Sequence, residues 1–173
     1  MKLKEVYHFG DLTLDESLSQ PLDYELIETK SYKDIVAKWY EIKSNPILIV
    51  ATQVIPMDKE KIAEVSFFSD EAGFKAINKF NADGVSGILA TVIDICQNDK
   101  EIDTWYFSAK QIHSSSNKEL LKRTSLYLRV AKKMASKLNY QWKTFTWSGD
   151  TVYVVSSKPI TKEKILAYEK YTQ

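Results

Sequence analysis

The sequence predicts a single α/β (α+β) domain with a mixed, mostly antiparallel central sheet flanked by helices. A strand pattern at Thr104–Ala109 leads through a polar turn into a long amphipathic helix that extends to Asn139. A hairpin pattern follows that helix, so strands precede and follow it in the sequence. The chain has 173 residues, which suits one domain whose core needs no disulfide or metal to hold it.

The overall composition is that of an ordinary globular protein. The formal net charge is +1, with 27% charged and 44% hydrophobic residues, so the chain as a whole offers no electrostatic case for binding nucleic acid or a membrane. Cys96 is the only cysteine and lies in an apolar run, which predicts a small core residue in a reducing compartment. No signal-peptide stretch or run of about 18 apolar residues is present, so we expect a soluble cytoplasmic protein.

The N-terminal segment, residues 1–30, is acidic, with seven carboxylates against three lysines. We predict an irregular arm followed by a short first strand near Tyr24–Glu28, and place the rest of the domain in residues 31–173. The carboxylates either form a solvated face or let the arm dock on a partner or on the basic helix of its own chain.

The next elements predicted are a helix and a buried strand. Ser31 stands three positions before Asp34, as at a helix N-terminus, and apolar residues then recur at helical spacing, so we predict a helix that ends before Pro46. Ile47–Ile55 is a continuous apolar run rich in β-branched residues and bounded by prolines, which predicts a buried strand.

The middle of the chain predicts two short helices and a hairpin. The helices lie at Asp58–Val65 and Asp70–Phe80, and the paired strands at Ser86–Cys96 and Glu101–Ala109. This hairpin would let Asp94 and Asp103 face one another. A pair of carboxylates without a substrate pocket is weak evidence for acid–base catalysis, so we assign no catalytic residue.

The final third of the chain has the clearest patterns. Ser116 and Glu119 form a capping-box pattern at the start of the long helix. The strands Trp142–Trp147 and Val152–Ser156 alternate around a Ser-Gly-Asp turn, and a last helix follows Thr161.

The long helix has one apolar face and one basic face. Its predicted core face consists of Leu120, Leu121, Thr124, Tyr127, Leu128, Ala131, Met134, Ala135 and Leu138. The opposite side carries the basic ridge, which we define as Lys118, Lys122, Arg129 and Lys133. The ridge is either a solvated helix face or the contact site for another protein; nucleic acid is disfavoured because no aromatic residues are interleaved with these cations.

The turn before the long helix is the candidate anion site. Ser114, Ser115 and Ser116 offer hydroxyls beside the free amides of a helix N-terminus, although plain turn and cap chemistry is the favoured explanation for them. His113 has no carboxylate or nucleophile beside it in the sequence, which favours a loop histidine over a catalytic base.

A family resemblance covers residues 84–148. The strand, the turn, a helix with the pattern Leu-Lys-Arg-Thr-x-x-Tyr-Leu at Leu121–Leu128, and the segment Leu138–Trp147 resemble the GNAT-like proteins of short-tailed bacteriophages. In the GNAT family a glycine-containing turn binds the pyrophosphate of acetyl-coenzyme A, whereas the turn at 113–118 here contains no glycine. The chain also turns at Gly149 straight into another strand, where the family has a helix.

The resemblance therefore implies a non-catalytic GNAT-like phage protein that acts through protein–protein contacts, either in the virion or against a factor in the host cytoplasm. It implies no cofactor, no metal and no membrane partner, with a homo-oligomer possible. One alternative is an N-acetyltransferase whose acetyl-coenzyme A is held by Ser114, Ser115 and Ser116. A second alternative is a nucleic-acid-binding accessory protein that uses the basic ridge.

Overall fold

A computed structural model describes residues 4–6, 20–44, 47–57, 59–69, 82–109, 117–147 and 150–172. Within these residues the chain forms one α+β domain with eight strands and three helices. In chain order the elements are β1 (Lys4–Val6), β2 (Tyr24–Tyr32), β3 (Ile35–Ile42), β4 (Leu48–Met57), β5 (Glu60–Ser69), α1 (Ala82–Asn98), β6 (Thr104–Ala109), α2 (Asn117–Leu138), β7 (Gln141–Trp147), β8 (Asp150–Ser156) and α3 (Lys162–Thr172).

The described strands form one sheet in the order β1-β7-β8-β6-β5-β4-β3-β2. Six of the neighbouring pairs are antiparallel, and β5 with β6 is the parallel pair. The predicted mostly antiparallel mixed sheet is therefore confirmed. Parallel strands need a crossover connection, and α1 lies in the segment that supplies it here.

The helices cover the sheet unequally. Helices α1 and α2 pack on one face, where Val92, Ile93 and Val130 are completely buried with the inward residues of the central strands. Helix α3 packs on the opposite face through Ile165 and Tyr168. Among the described elements only α3 covers that second face, and the hydrophobic core beneath it is the smaller of the two. Strand β2 contacts the larger core through Tyr24.

The helix predicted after Ser31 is wrong, because the chain forms β3 there. Tyr32 pairs with Ile35 across a two-residue turn, and Lys33 adopts a left-handed conformation with φ of 53°. Apolar residues in this segment fit a period of two as well as a helical period. Pairing with β4 from Val36 to Ile42 decides between them, since it satisfies backbone groups of β3 and Ile42 is buried there.

The helix predicted at Asp58–Val65 is also wrong. Strand β5 occupies most of that range and pairs with β4 from Met57 opposite Glu60 to Leu48 opposite Ser69. Pairing with the adjacent strand β4 therefore decides that residues 60–69 form a strand. The helix predicted at Asp70–Phe80 lies outside the described residues.

The strand predicted at Ser86–Cys96 is wrong because this run forms α1. The helix is held between the sheet, α2 and the segment before β2, so its apolar residues are buried on several sides and produce a nearly continuous run. The predicted hairpin is consequently wrong too. Asp94 lies on α1 and Asp103 precedes β6, so these carboxylates do not face each other across two strands.

The remaining element predictions are confirmed at β4, β6, α2, β7, β8 and α3. Cys96 is a buried core residue as expected, and its burial raises the pKa of the thiol. On α2 the buried residues include Leu126 and Val130, which the predicted core face omitted. Ser116 lies outside the described residues. None of the described helices combines the length and the apolar composition required to cross a bilayer.

Candidate functional site

Strand β2 is the most exposed regular element of the described residues. It lies at the end of the sheet, paired with β3 on one side. Apart from Tyr24, every residue of β2 is exposed. An edge strand presents a row of backbone amides and carbonyls that another strand can pair with, so this edge is available to a partner by ordinary sheet chemistry.

The exposed side chains of β2 are unusually apolar. Leu26, Ile27 and Tyr32 are 52%, 47% and 70% exposed, and with Ile47 at 44% they make up the large exposed hydrophobics of the described residues. Three of these four belong to a single strand. Large apolar side chains grouped on a protein surface are typical of contact sites, whereas a scattered distribution would need no explanation.

The strand contains one irregularity, a β-bulge. The pairing of β2 with β3 shifts between Leu26 and Glu28, so Ile27 is the extra residue. A bulge increases the local twist and interrupts regular pairing. The regular part of the edge therefore runs from Glu28 to Tyr32, and the bulge marks the point where a partner strand would have to bend.

Charged residues alternate with the apolar ones around β2. Lys43 donates to Glu25 at 2.6 Å and to Glu41 at 2.7 Å, and these hydrogen bonds raise the pKa of the lysine. Lys30 lies 2.8 Å from Glu28 within the strand itself. Such exposed ion pairs are worth little in stability, but they fix the pattern of charge that a partner meets.

The β2–β3 hairpin is fastened to α1 and to Asp99, the residue that follows this helix. The Tyr24 hydroxyl donates to Asp94 at 2.8 Å and accepts from Asn98 at 3.0 Å, and burial is the main cause that raises the pKa of this tyrosine. Lys38 donates to Asp99 at 3.0 Å, which raises the lysine pKa. The exposed edge is thus presented by a scaffold tied to the core.

The segment before β2 makes a second attachment. The Leu22 amide donates to the hydroxyl of Thr91 at 2.8 Å, and that hydroxyl donates to the Gly87 carbonyl at 2.7 Å. A Cβ at Gly87 would lie 3.1 Å from two side-chain carbons of Leu22. The glycine therefore allows residue 22 to lie directly against α1, which sets where β2 begins.

A second location of interest is the carboxyl end of the parallel pair. The pairing of β5 with β6 covers Ile62–Val65, although β5 continues to Ser69 and β6 to Ala109. The Ser108 hydroxyl is buried there without a hydrogen-bond partner among the described residues. Ligands of open α/β sheets bind beyond the carboxyl ends of parallel strands, so the diverging ends and the orphan hydroxyl define a secondary candidate site.

The structure places the predicted site residues as follows. Ser114, Ser115 and Ser116 lie outside the described residues, and for Lys118 and Lys122 the backbone of α2 is described but not the side chains. Arg129 and Lys133 are half-buried on α2, and both take part in interactions. Lys132, beside the ridge, lies over the Trp142 ring with its Nζ 5.5 Å from the ring centroid. Sequence reasoning did not name β2 as a site.

The sequence held one signal for β2. A short strand is predicted at Tyr24–Glu28, but the predicted helix at Ser31 removed its hairpin partner. Without that partner the sequence did not place the strand at the edge of the sheet, so the exposure of its side chains could not be predicted.

Comparisons with known proteins add no relative: no protein-family model, no curated protein and no solved structure matches this chain. The described residues contain no group of three or more His, Cys, Asp or Glu side chains placed to hold a metal ion.

Proposed function

We propose that this chain is a non-catalytic GNAT-like domain, a phage protein that acts through protein–protein contacts in the virion or on a host factor, and that β2 is its contact strand. The observation that carries the proposal is the concentration of Leu26, Ile27 and Tyr32 on one exposed edge. An edge strand recognises an extended segment by backbone hydrogen bonds, and the side chains on either side select the sequence.

The attachments to α1 support this function. Because Tyr24 and Lys38 hold the hairpin against Asp94 and Asp99, the edge is ordered before a partner arrives. A preformed strand loses less conformational entropy on binding than a flexible one, which favours affinity. The basic ridge on α2 is a separate surface, and its residues remain the alternative contact site.

A random peptide library selected against the immobilised chain tests the proposal. We expect extended peptides with alternating apolar residues, whose affinity falls at least about tenfold in Leu26→Asp and Tyr32→Asp. The control is Lys137→Asp, an exposed position on α2 beside the ridge. If the selected peptides still bind both β2 variants but no longer bind Lys137→Asp, the binding site lies on α2 and the proposal is contradicted.

The second candidate function is the acyl-coenzyme A alternative, favoured by the diverging ends of β5 and β6 and the partnerless Ser108 hydroxyl. A ligand that binds only the folded state raises the melting temperature. If acetyl-coenzyme A at millimolar concentration raises the melting temperature of the wild type and less that of Ser108→Ala, this candidate replaces the first. An unchanged melting temperature counts against it.

A further inference from the structure

We propose that the partner of β2 is β2 of a second copy of this chain, paired antiparallel about a twofold axis at Thr29. The inference rests on the proposed function of β2 as a contact strand and adds the identity of the partner. Identical edges meet by a twofold axis, so each contact between two residues is made twice. Such pairing would join the two eight-stranded sheets into one.

Sheet geometry restricts where the axis can lie. Residues directly opposite each other in a sheet point to the same face, while consecutive residues of one strand point to opposite faces. A twofold axis perpendicular to the sheet must therefore be centred on a residue and not between two residues. The regular part of the outer edge, Glu28–Tyr32, offers few such centres.

Charge selects among these centres. An axis at Glu28 sets that carboxylate opposite its own copy, and an axis at Lys30 does the same with two ammonium groups. An axis at Ser31 sets Glu28 opposite Asp34. An axis at Tyr32 sets Lys30 opposite Asp34, but it lies at the end of the strand, where the chain turns and leaves little edge to pair. An axis at Thr29 instead sets Glu28 opposite Lys30, twice, with both residues inside the strand.

The flanking residues agree with the Thr29 register. The extra residue of the bulge shifts the register by one beyond Ile27, so the same axis sets Glu25 opposite Tyr32 of the other copy, where it meets no like charge. Glu25 lies beyond the bulge, which makes that outer pair less regular than the inner one. Opposite charges across neighbouring strands stabilise pairing and like charges oppose it.

The apolar side chains supply the other part of the attraction. Leu26, Ile27 and Tyr32 lie at the two ends of the paired stretch, where association removes them from water. Screening by salt weakens the charge pairs but not the apolar burial, so charge sets the register and apolar area sets most of the affinity.

Charge reversal with rescue tests this register. We expect light scattering to show a concentration-dependent dimer of the wild type. Glu28→Lys and Lys30→Glu each raise the dimer dissociation constant about tenfold, because two attractive pairs become repulsive. The double variant with both changes should return the dissociation constant to that of the wild type, because the two charges are exchanged and attract again. An equimolar mixture of the two single variants forms the heterodimer, since every cross-strand pair is then attractive again.

The matched control is Lys158→Glu, which makes the same charge change as Lys30→Glu at an exposed position just after β8, and four strands separate β8 from β2. It should leave the dissociation constant unchanged. Both tested side chains are exposed, Lys30 at 66% and Glu28 at 47%, so circular dichroism should show that the variants fold.

Three results overturn the inference. A wild type that stays monomeric at millimolar concentration excludes the second copy as partner, and single variants that fail to associate on mixing exclude the Thr29 register. A monomer that still binds selected peptides through β2 leaves the proposed function standing. A dimer unaffected by every β2 variant overturns the inference and leaves the peptide selection to decide the proposed function.

Discussion

The hydroxyl of Tyr168 on α3 donates a hydrogen bond to the carboxylate of Glu64 on β5, with 3.0 Å between Oη and Oε2. A reciprocal bond runs from Tyr106 on β6 to Glu169 on α3, and the two rings lie 4.4 Å apart. Both rings are buried. These crossed bonds fasten the last helix to the sheet, because each side of the contact supplies one donor and one charged acceptor.

Removing one of these donors should loosen α3. We expect Tyr168→Phe to lower the free energy of unfolding by about 1.5–3 kcal/mol, since a hydrogen bond from a buried ring to a charged group is lost. Urea unfolding measures the change. Tyr32→Phe is the control for deleting a hydroxyl, because that ring is 70% exposed. Equal effects of the two variants would contradict the assigned role.

Alkaline pH should destabilise the protein through its buried tyrosines. Burial is the main cause that raises the pKa of Tyr106 and Tyr168, and it raises the pKa of Tyr153 to about 12. In the unfolded chain a tyrosine ionises near pH 10. The stability contributed by each raised pKa is therefore complete below about pH 10 and is lost as the pH rises towards the folded-state pKa.

The expected slope can be measured. Between about pH 10 and 11 each of these tyrosines lowers the free energy of unfolding by up to about 1.4 kcal/mol per pH unit. Tyr106→Phe should therefore give a shallower loss of stability over that range, whatever its effect at neutral pH. Urea unfolding at several pH values supplies the slopes. An identical slope in the variant would show that Tyr106 ionises alike in both states.

The contact between Gly87 and Leu22 predicts a coupling between two substitutions. Alanine in a helix interior is favoured over glycine by about 1 kcal/mol, but its Cβ would lie 3.1 Å from Leu22 carbons. We expect Gly87→Ala to stabilise the Leu22→Ala background more than the wild type, because the crowded side chain is then absent. A double-mutant cycle in urea tests this, and additive effects would show that Leu22 moves aside without cost.

Two buried threonines should respond oppositely to valine. The Thr144 hydroxyl has no hydrogen-bond partner within the described part of the chain, whereas the Thr104 hydroxyl lies 2.7 Å from that of Ser156. We expect Thr144→Val to leave stability unchanged or raise it by about 1 kcal/mol, and Thr104→Val to lower it by about 1 kcal/mol. Thermal unfolding of both variants tests this prediction. A loss of stability in Thr144→Val would show that the Thr144 hydroxyl has a hydrogen-bond partner.

The elements predicted correctly are those whose local pattern allows one interpretation. Helix α2 is long, and its sequence has one apolar and one basic face. The paired strands β7 and β8 have alternating sequences on either side of a Ser-Gly dipeptide. Strand β4 contains the β-branched run that follows Pro46, and it continues through Pro56 to Met57. In each case the spacing of apolar residues, the length and the flanking residues favour the same kind of element, and the tertiary structure retains it.

The failures share one cause, which is that short apolar segments fit helix and strand equally. Residues 35–42 carry apolar side chains at positions compatible with both, and pairing with β4 selected the strand. Residues 86–96 are apolar enough for a buried strand, and burial on several sides of α1 explains the same composition in a helix. In both segments, contacts with residues elsewhere in the chain decide between helix and strand.

The amino-acid sequence alone determined that this is one mostly antiparallel α+β domain with a buried cysteine and a long helix before a hairpin, because those features follow from local periodicity and composition. Only the tertiary structure decided that β2 lies at the edge of the sheet and that Tyr168 reaches Glu64. The order of strands and the meeting of residues 104 positions apart arise from long-range pairing and packing, which no local window of sequence contains.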